Sequence, residues 1–361
     1  MKQYEIEMRI VTPVIINTGK FYDFCEIFPN RKNDKNNFYL INVPKAINSL
    51  PPNISANNIE KATNAMYQVD SEMRNSKLRD ARNNLCSSFL DKEKRREIVI
   101  RPLKATEDIE DAIIKNPMLQ ISKIADTPNN GLAYIPGSSI KGAIRTGLLE
   151  KLRAQNNITL KDIDTYDRKK VDKNFEARIY SGIDKYNITS DPFKYLKISD
   201  FVFEDYKTDT YLTGINTCGE SFIYTAMTSS EIFCGKSICA KGTISIDSRF
   251  GLHNDIHRLL SDVSTFYSDI ITQPNYLEYF NGLKGRDFYN EFDEIRKSDN
   301  YYFLRLGHYC GIQNFTFNII NNWPQGKNKN PRINIEGGKN LPLINNEVPA
   351  GFCLLKVLRE V

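Results

Sequence analysis

The sequence lacks any long apolar run. Its first segment, MKQYEIEMRIVTP, has no apolar core of the signal-peptide type, and no stretch approaches the roughly 18 apolar residues of a membrane-spanning helix. We therefore expect a cytoplasmic protein without a membrane partner. Hydrophobic residues make up 40% of the chain and charged residues 26%, which is near the globular average and indicates a folded protein.

Paired cysteines and a strong charge imbalance are missing as well. The seven cysteines are an odd and scattered set in a chain without a secretion signal, which indicates reduced thiols. Cys234 and Cys239 lie close together in sequence, but no second Cys or His pair completes a tetrahedral zinc site, so we expect no metal and no cofactor.

The net charge of +5 is too small to indicate a nucleic-acid partner. Evidence for such a partner must therefore come from the local placement of basic residues.

What the chain does contain favours an α+β fold in two domains. Its 361 residues exceed the size at which a single core usually keeps growing. YEIEMRIV near the N-terminus alternates apolar and polar residues, as a half-buried strand does. Turn residues Asn17, Thr18 and Gly19, followed by strand-like FYLINV at 38–43, predict a hairpin with a long polar connection.

The rest of the chain alternates between helical and strand patterns. From about 57 to 97, apolar residues at three- and four-residue spacing predict a helical insertion in a first domain, residues 1–210. The second domain, residues 211–361, contains strand-like ESFIYTAM, KGTISID and GFCLLKVL, and two helical stretches within 252–270 and 277–295. Such a mixture is typical of antiparallel sheets with helices packed on one face.

The segment YIPGSSIKGAIRTGLLEKL carries the strongest chemical signal. It predicts a helix from about 140 to 153, with Ser138 or Ser139 as the N-cap. Gly137 permits an unusual backbone angle just before it. The segment is not a P-loop, because the pattern GxxxxGK[ST] is absent.

Two cations at the start of this helix admit two interpretations. Lys141 and Arg145 lie one turn apart, so both can reach the same ligand, and the free amides of the helix N-terminus could join them in binding a phosphate. In the other interpretation, the serines only cap the helix and the cations only solvate its edge. The helix dipole disfavours Lys141 in the first turn, where a purely structural helix would prefer an acid.

A second candidate is the glycine-punctuated loop RLGHYCG. In it, Arg305 precedes Gly307 and Gly311, and glycines permit close backbone approach to a ligand. His308 between them could donate to a phosphate or stack on a base. Ordinary surface exposure or packing is the alternative for this histidine.

Five segments in this order resemble the RAMP superfamily of CRISPR ribonucleoproteins: TPVIINTG, IPGSSIKGAIRTGLL, DPFKYLKISD, LRLGHYCG and PAGFCLLKV. The resemblance spans nearly the whole chain, and IPGSSIKGAIR is its most specific element. Order and length resemble most the family of the fifth Csm subunit of type III-A effector complexes. The resemblance implies two ferredoxin-like (RRM-like) domains with antiparallel sheets.

The same resemblance implies a non-catalytic RNA-binding subunit in antiviral defence. It would cap the complex at the 3′ end of the guide RNA (crRNA) and assist crRNA maturation, with the crRNA, other Csm subunits and host nucleases as partners. The implied RNA contacts are Gly137, Ser138, Ser139, Lys141 and Arg145 in the helical segment, Arg305, Gly307, His308 and Gly311 in the late loop, and Thr18 and Gly19 in the early loop.

The alternative is a RAMP endoribonuclease that cuts CRISPR RNA or target RNA. Its available groups are Asp23, Glu26, Asp200 and His308. Nothing in the sequence pairs Asp200 with a base, and this residue fits a turn or strand-end cap. A remoter alternative is a small-molecule phosphate enzyme, for which no complete nucleotide motif is present.

Overall fold

A computed structural model describes residues 1–23, 25–29, 37–49, 52–68, 70–89, 95–105, 107–127, 133–158, 171–182, 187–203, 209–217, 220–228, 239–271, 301–307, 343–344 and 348–361. The strands are β1 (Lys2–Ile10), β2 (Asn17–Phe21), β3 (Ile27–Pro29), β4 (Asn37–Ile41), β5 (Val99–Lys104), β6 (Ile121–Ile124), β7 (Tyr134–Ile135), β8 (Leu196–Ile198), β9 (Phe201–Phe203), β10 (Asp209–Thr217), β11 (Glu220–Thr228), β12 (Cys239–Ile246), β13 (Tyr302–Arg305), β14 (Leu343–Ile344), β15 (Val348–Pro349) and β16 (Phe352–Glu360). The α-helices are α1 (Val43–Asn48), α2 (Pro52–Met66), α3 (Ser71–Phe89), α4 (Arg95–Ile98), α5 (Glu107–Lys115), α6 (Gly137–Gln155), α7 (Val171–Ser181) and α8 (Ile256–Ile271). Two short 3₁₀ turns, Pro192–Tyr195 and Ser248–Phe250, complete the described elements.

The chain forms two compact units, and each draws on separate stretches of sequence. Unit 1 contains Met1–Val14, Tyr134–Tyr206 and Glu231–Val361. Unit 2 contains Ile15–Ala133 and Lys207–Ser230. This grouping does not coincide with the predicted boundary near residue 210, because β1 is hydrogen-bonded to both β12 and β16.

Unit 1 is built on an antiparallel sheet in the order β13-β16-β1-β12-β9-β7, with β8 also paired to β12. Strand β1 buries Tyr4, Ile6, Met8 and Ile10 and alternates them with half-exposed polar residues, as the sequence predicts. Helices α6 and α8 pack tightly together, since a Cβ added at Gly147 would lie 3.1 Å from Val263. Tyr267 of α8 also donates to the backbone carbonyl of Ala143 in α6, at 3.0 Å.

Unit 2 holds a second sheet in the order β2-β6-β11-β10-β5-β4-β3. Strands β10 and β11 form a long antiparallel hairpin, which pairs in parallel with β5 on one side and with β6 on the other. Its core includes Phe38, Leu40, Leu103, Ile113 and Ile121, all buried. The predicted hairpin of the first strand with FYLINV is wrong, because β1 pairs with β12 and β16 in unit 1, whereas β4 pairs with β3 and β5 in unit 2.

Several predicted elements coincide with observed ones. The helical pattern near 57–97 corresponds to α2, α3 and α4, and the strand predictions for KGTISID and GFCLLKVL correspond to β12 and β16. The predicted helix within 277–295 lies outside the described residues. No described helix combines the length and the apolar character that a membrane crossing requires.

Candidate nucleic-acid interface

Helix α6 begins three residues earlier than the sequence predicts. Its first residue is Gly137, and its N-cap is Pro136, which makes no side-chain capping hydrogen bond. The backbone amide of Ser139 donates to the carbonyl of Pro136 at 2.9 Å, so Ser138 and Ser139 lie inside the first turn. Their predicted role as N-cap is therefore wrong, and the exposed Ser138 hydroxyl has no hydrogen-bond partner among the described residues.

A carboxylate from another part of unit 1 reaches the start of this helix. Asp200, between β8 and β9, accepts a hydrogen bond from the backbone amide of Gly137 at 2.8 Å. A negative charge here is favoured by the helix dipole, so Asp200 stabilises the helix end. The sequence predicts Asp200 as a turn or strand-end cap; it does lie between two strands, but its side chain binds the first amide of helix α6, 63 positions away.

Close packing of the start of α6 against the backbone between β8 and β9 requires a glycine at position 137. A Cβ atom at this position would lie 2.3 Å from the carbonyl oxygen of Ile198 and 2.5 Å from that of Ser199. Both are backbone atoms, so they cannot move aside as a flexible side chain could. The glycine lets the start of α6 press onto the turn between β8 and β9.

Lys141 is half-buried in the first turns of α6. Burial lowers the pKa of its ammonium group, Arg145 lowers it further, and the carboxylate of Asp191 opposes both effects. No ion pair joins Lys141 to any residue that the structure describes. A cation that is partly removed from water and has no acid within ion-pair distance among the described residues is suited to bind an external anion.

Arg145, by contrast, is held by acids of its own unit. Its Nη1 donates to both carboxylate oxygens of Asp191, at 3.1 and 2.9 Å, and its Nε and Nη2 donate to Glu176. The guanidinium also lies 4.5 Å from the ring centroid of Phe193. Burial by itself would lower the pKa of Arg145, but the two acids outweigh this effect and raise the pKa above its usual value. Its charge is neutralised internally, which argues against the predicted sharing of a phosphate with Lys141.

Glu176 and Asp191 were not singled out in the sequence. Asp191 is buried, and it also accepts from the backbone amide of Phe193 as the N-cap of the 3₁₀ turn. The one local signal for it is the pair Asp191 and Pro192, which is typical of a turn start. Glu176 lies on α7, and nothing in its own segment indicates that it faces α6.

The late loop is described only at its beginning. Arg305 is 2% exposed, its Nε donates to the carbonyl of Ala350 at 2.8 Å, and its guanidinium lies 4.6 Å from the ring centroid of Phe352. It therefore packs this corner of unit 1, and its burial argues against the predicted RNA contact. Gly307 has φ of 91°, a backbone conformation that favours glycine. His308 and Gly311 lie outside the described residues.

Arg305, in the described part of the late loop, does not lie beside the start of α6. Arg305 ends β13, at one edge of the unit 1 sheet, whereas Gly137 follows β7 at the opposite edge. Thr18 and Gly19 belong to unit 2, where both are exposed on β2. The predicted turn at Asn17, Thr18 and Gly19 is wrong, because these residues lie in β2; Gly19 has φ of 74° where the pairing of β2 with β6 is irregular.

The acids of the early loop serve local hydrogen bonds. Glu26 accepts from the backbone amide of Asp23 and from the ammonium of Lys123, both at 2.7 Å. Burial, with a smaller effect of these two acids, raises the pKa of the neighbouring Cys25 thiol to about 11. Within the described ranges, no three His, Cys, Asp or Glu side chains converge as metal ligands would.

Relatives of known identity share both sequence and fold with this chain. CRISPR system Cms protein Csm5 of Methanocaldococcus jannaschii is 31% identical over 198 residues, which is 54% of this chain and 42% of that protein. The match thus spans less than half of that relative's length.

Two solved structures have a similar fold. A chain of a Csm-crRNA-target RNA ternary complex from a type III-A CRISPR-Cas system has a TM-score of 0.62 at 16% identity, covering 99% of this chain and 100% of that one. The crystal structure of T. onnurineus Csm5 has a TM-score of 0.60 at 17% identity, covering 98% and 100%. At these identities the likeness shows a common fold.

A model of the RAMP superfamily matches residues 7–339. The matched region begins within β1, includes α6 with its IPGSSIKGAIR motif and all of unit 2, and ends before β16 of unit 1. This chain belongs to the RAMP superfamily.

Proposed function

We propose that this protein is a non-catalytic, RNA-binding subunit of a type III-A Csm effector complex, with the crRNA and other Csm subunits as partners. In that complex it caps the 3′ end of the crRNA and assists crRNA maturation, and host nucleases make the cut. The likeness to Csm5 and to a chain of a Csm-crRNA-target RNA complex supports this proposal.

One observation carries the RNA-binding part of the proposal. Lys141 is a half-buried cation near the N-terminus of α6 with no acid paired to it among the described residues, and the exposed Ser138 lies one turn before it. A phosphate at this position would gain a cation and a hydroxyl donor, whereas the first amide of the helix is bound by Asp200. Such a contact reads the RNA backbone and not its sequence.

The other residues predicted from the sequence have two different roles in this proposal. Gly137 and Arg145 position the start of α6, the first through close packing and the second through Asp191 and Glu176. Ser139, Gly307, Thr18 and Gly19 remain proposed RNA contacts, together with His308 and Gly311.

We further propose that unit 1 is a ferredoxin-like (RRM-like) domain. Its strands and helices follow the order β1, α6, β8 with β9, β12, α8 and β16, which matches a β-α-β-β-α-β pattern. The sheet order β16-β1-β12-β9 supports this assignment, because the first and third strands are then central and antiparallel. RRM-like character for unit 2, and an insertion formed by α2 and α3, stay predictions.

Filter binding of single-stranded repeat RNA over a range of salt concentrations tests the function. Lys141→Ala should weaken binding and reduce the slope of log affinity against log salt by about 0.7 to 1, the value of one lost phosphate contact. Arg359→Ala, which removes an exposed cation that is paired with Glu5, should leave that slope unchanged. An unchanged slope for Lys141→Ala would contradict the proposal.

The same preparation separates binding from cleavage. Labelled repeat RNA incubated with the protein, with and without a divalent metal ion, should remain intact on a denaturing gel. Cleavage that disappears in His308→Ala would favour the endoribonuclease alternative instead.

A further inference from the structure

A second group of exposed cations lies on unit 1, around the ring of Tyr195. The guanidinium carbon of Arg249 is 4.5 Å from the ring centroid, and the ammonium nitrogen of Lys194 is 4.8 Å from it. We call Lys194, Tyr195 and Arg249 the Tyr195 cluster. The two 3₁₀ turns that carry it pack together, with the rings of Phe193 and Phe250 meeting edge to face at 5.6 Å.

Arg249 is held in one orientation. Asp247 accepts from its Nε at 2.8 Å and from its Nη2 at 2.9 Å, and it also accepts from the Arg249 backbone amide at 3.0 Å. These hydrogen bonds lower the pKa of the Asp247 carboxyl, so the acid stays ionised. The arginine is thus ordered before any ligand arrives, which reduces the entropy lost on binding.

The ordered guanidinium is nevertheless open to solvent. Its side chain is 67% exposed, whereas that of Asp247 is 19% exposed. The guanidinium carbon lies over the Tyr195 ring, and most of the side chain remains open to solvent. An exposed pair of this kind contributes little to folding stability, so stability alone does not account for the arrangement.

The cluster is continuous with the start of α6. Asp191 directly precedes the turn that ends at Tyr195, and its carboxylate binds Arg145 of α6. Arg145 lies one helical turn beyond Lys141. Exposed Lys194 and Lys197 lie along the same stretch of chain, while Asp191 and Asp247 are each paired with an arginine. Along this path the described cations Lys141, Arg145, Lys194, Lys197 and Arg249 exceed the acids Glu176, Asp191, Asp200 and Asp247 by one, so the net charge is positive by one unit.

We infer that the Tyr195 cluster is a second contact for single-stranded RNA, in which an unpaired base stacks on the open face of Arg249 and Lys194 binds an adjoining phosphate. Planar guanidinium groups stack on bases of any sequence. The ring of Tyr195, beneath the guanidinium of Arg249, would extend such a stack. This inference rests on the proposed RNA-binding function and extends it from Lys141 to a base-contacting position.

Substitution by lysine separates stacking from charge. The full-length protein is titrated with a labelled oligouridylate of about ten nucleotides and with an abasic strand of equal length. Arg249→Lys keeps the positive charge but replaces the planar guanidinium by an ammonium group. The affinity for oligouridylate should therefore fall about 5- to 100-fold, with an unchanged slope of log affinity against log salt. Affinity for the abasic strand should stay within about twofold of the wild-type value, since that strand has no base to stack.

Arg359→Lys is a matched control. Arg359 is also exposed, at 72%, and pairs with Glu5 at 2.7 Å, but it stacks on no ring among the described residues. This variant should bind both strands as the wild type does. Equal melting temperatures for the three proteins would exclude a folding defect.

The outcomes distinguish this inference from the function on which it rests. If Lys141→Ala weakens oligouridylate binding and Arg249→Lys does not, the stacking inference is wrong and the RNA-binding function stands. If Arg249→Lys weakens both strands equally, Arg249 contacts phosphate and the stacking inference is again wrong. If the wild-type protein binds neither strand, both proposals fail.

Discussion

Asp191 accepts two hydrogen bonds from Nη1 of Arg145, at 3.1 and 2.9 Å, and thereby joins α6 to the 3₁₀ turn that follows. The same carboxylate accepts from the backbone amide of Phe193 at 2.9 Å, so it is a buried acid with all its main partners inside unit 1. The pair determines where the start of α6 lies relative to the turn, and so where Lys141 is presented.

Asp191→Ala should therefore reduce stability. The substitution leaves the half-buried Arg145 with Glu176 as its remaining acid partner and removes the cap of the turn. We expect the free energy of unfolding in urea to fall by about 1 to 3 kcal/mol. The exposed pair of Arg359 with Glu5 is the comparison: Arg359→Ala should cost about 0.5 kcal/mol or less. Equal effects in the two variants would contradict the role assigned to Asp191.

Gly137 and Gly142, on the same helix, should respond in opposite ways to alanine. A Cβ at Gly137 would press against backbone carbonyl oxygens at 2.3 and 2.5 Å, so Gly137→Ala should destabilise by about 1 to 3 kcal/mol or more. A Cβ at Gly142 meets nothing within 4 Å, and alanine is the better helix former by up to about 1 kcal/mol. Thermal unfolding of the two variants provides the comparison, and a stable Gly137→Ala would show that β8 and β9 can move away.

His253 should make stability depend on pH. Burial lowers its pKa, and the carboxylate of Asp262, 3.1 Å away, only partly opposes this effect. The unfolded chain then takes up a proton more readily than the folded one, so the free energy of unfolding should decrease as the pH falls below about 6.5. In His253→Gln the decrease between about pH 7 and 5 should be smaller. The measurement is urea unfolding at several pH values, and identical pH profiles would contradict the prediction.

Short-range features of this fold could be read from single segments. The period-two pattern of Tyr4, Ile6, Met8 and Ile10 predicts β1, because that alternation suits a strand with one buried face. The apolar stripe of α6 likewise predicts its buried face, which contains Ile140, Ile144 and Leu148. The N-cap was misassigned because Asp200, distant in sequence, takes the Gly137 amide, so no serine side chain is needed there.

Several local elements, the family motif and the cation in the first turns of α6 follow from the amino-acid sequence alone, because periodicity depends on neighbours within one helix or strand. The role of each charged residue depends on the folded chain: Lys141 and Arg145 lie one turn apart, yet Glu176 and Asp191 pair with the arginine and leave the lysine available. The pairing of β1 with β12 and β16 likewise follows from the fold. Such pairings of charges and strands join residues that are distant in sequence and meet only once the chain has folded.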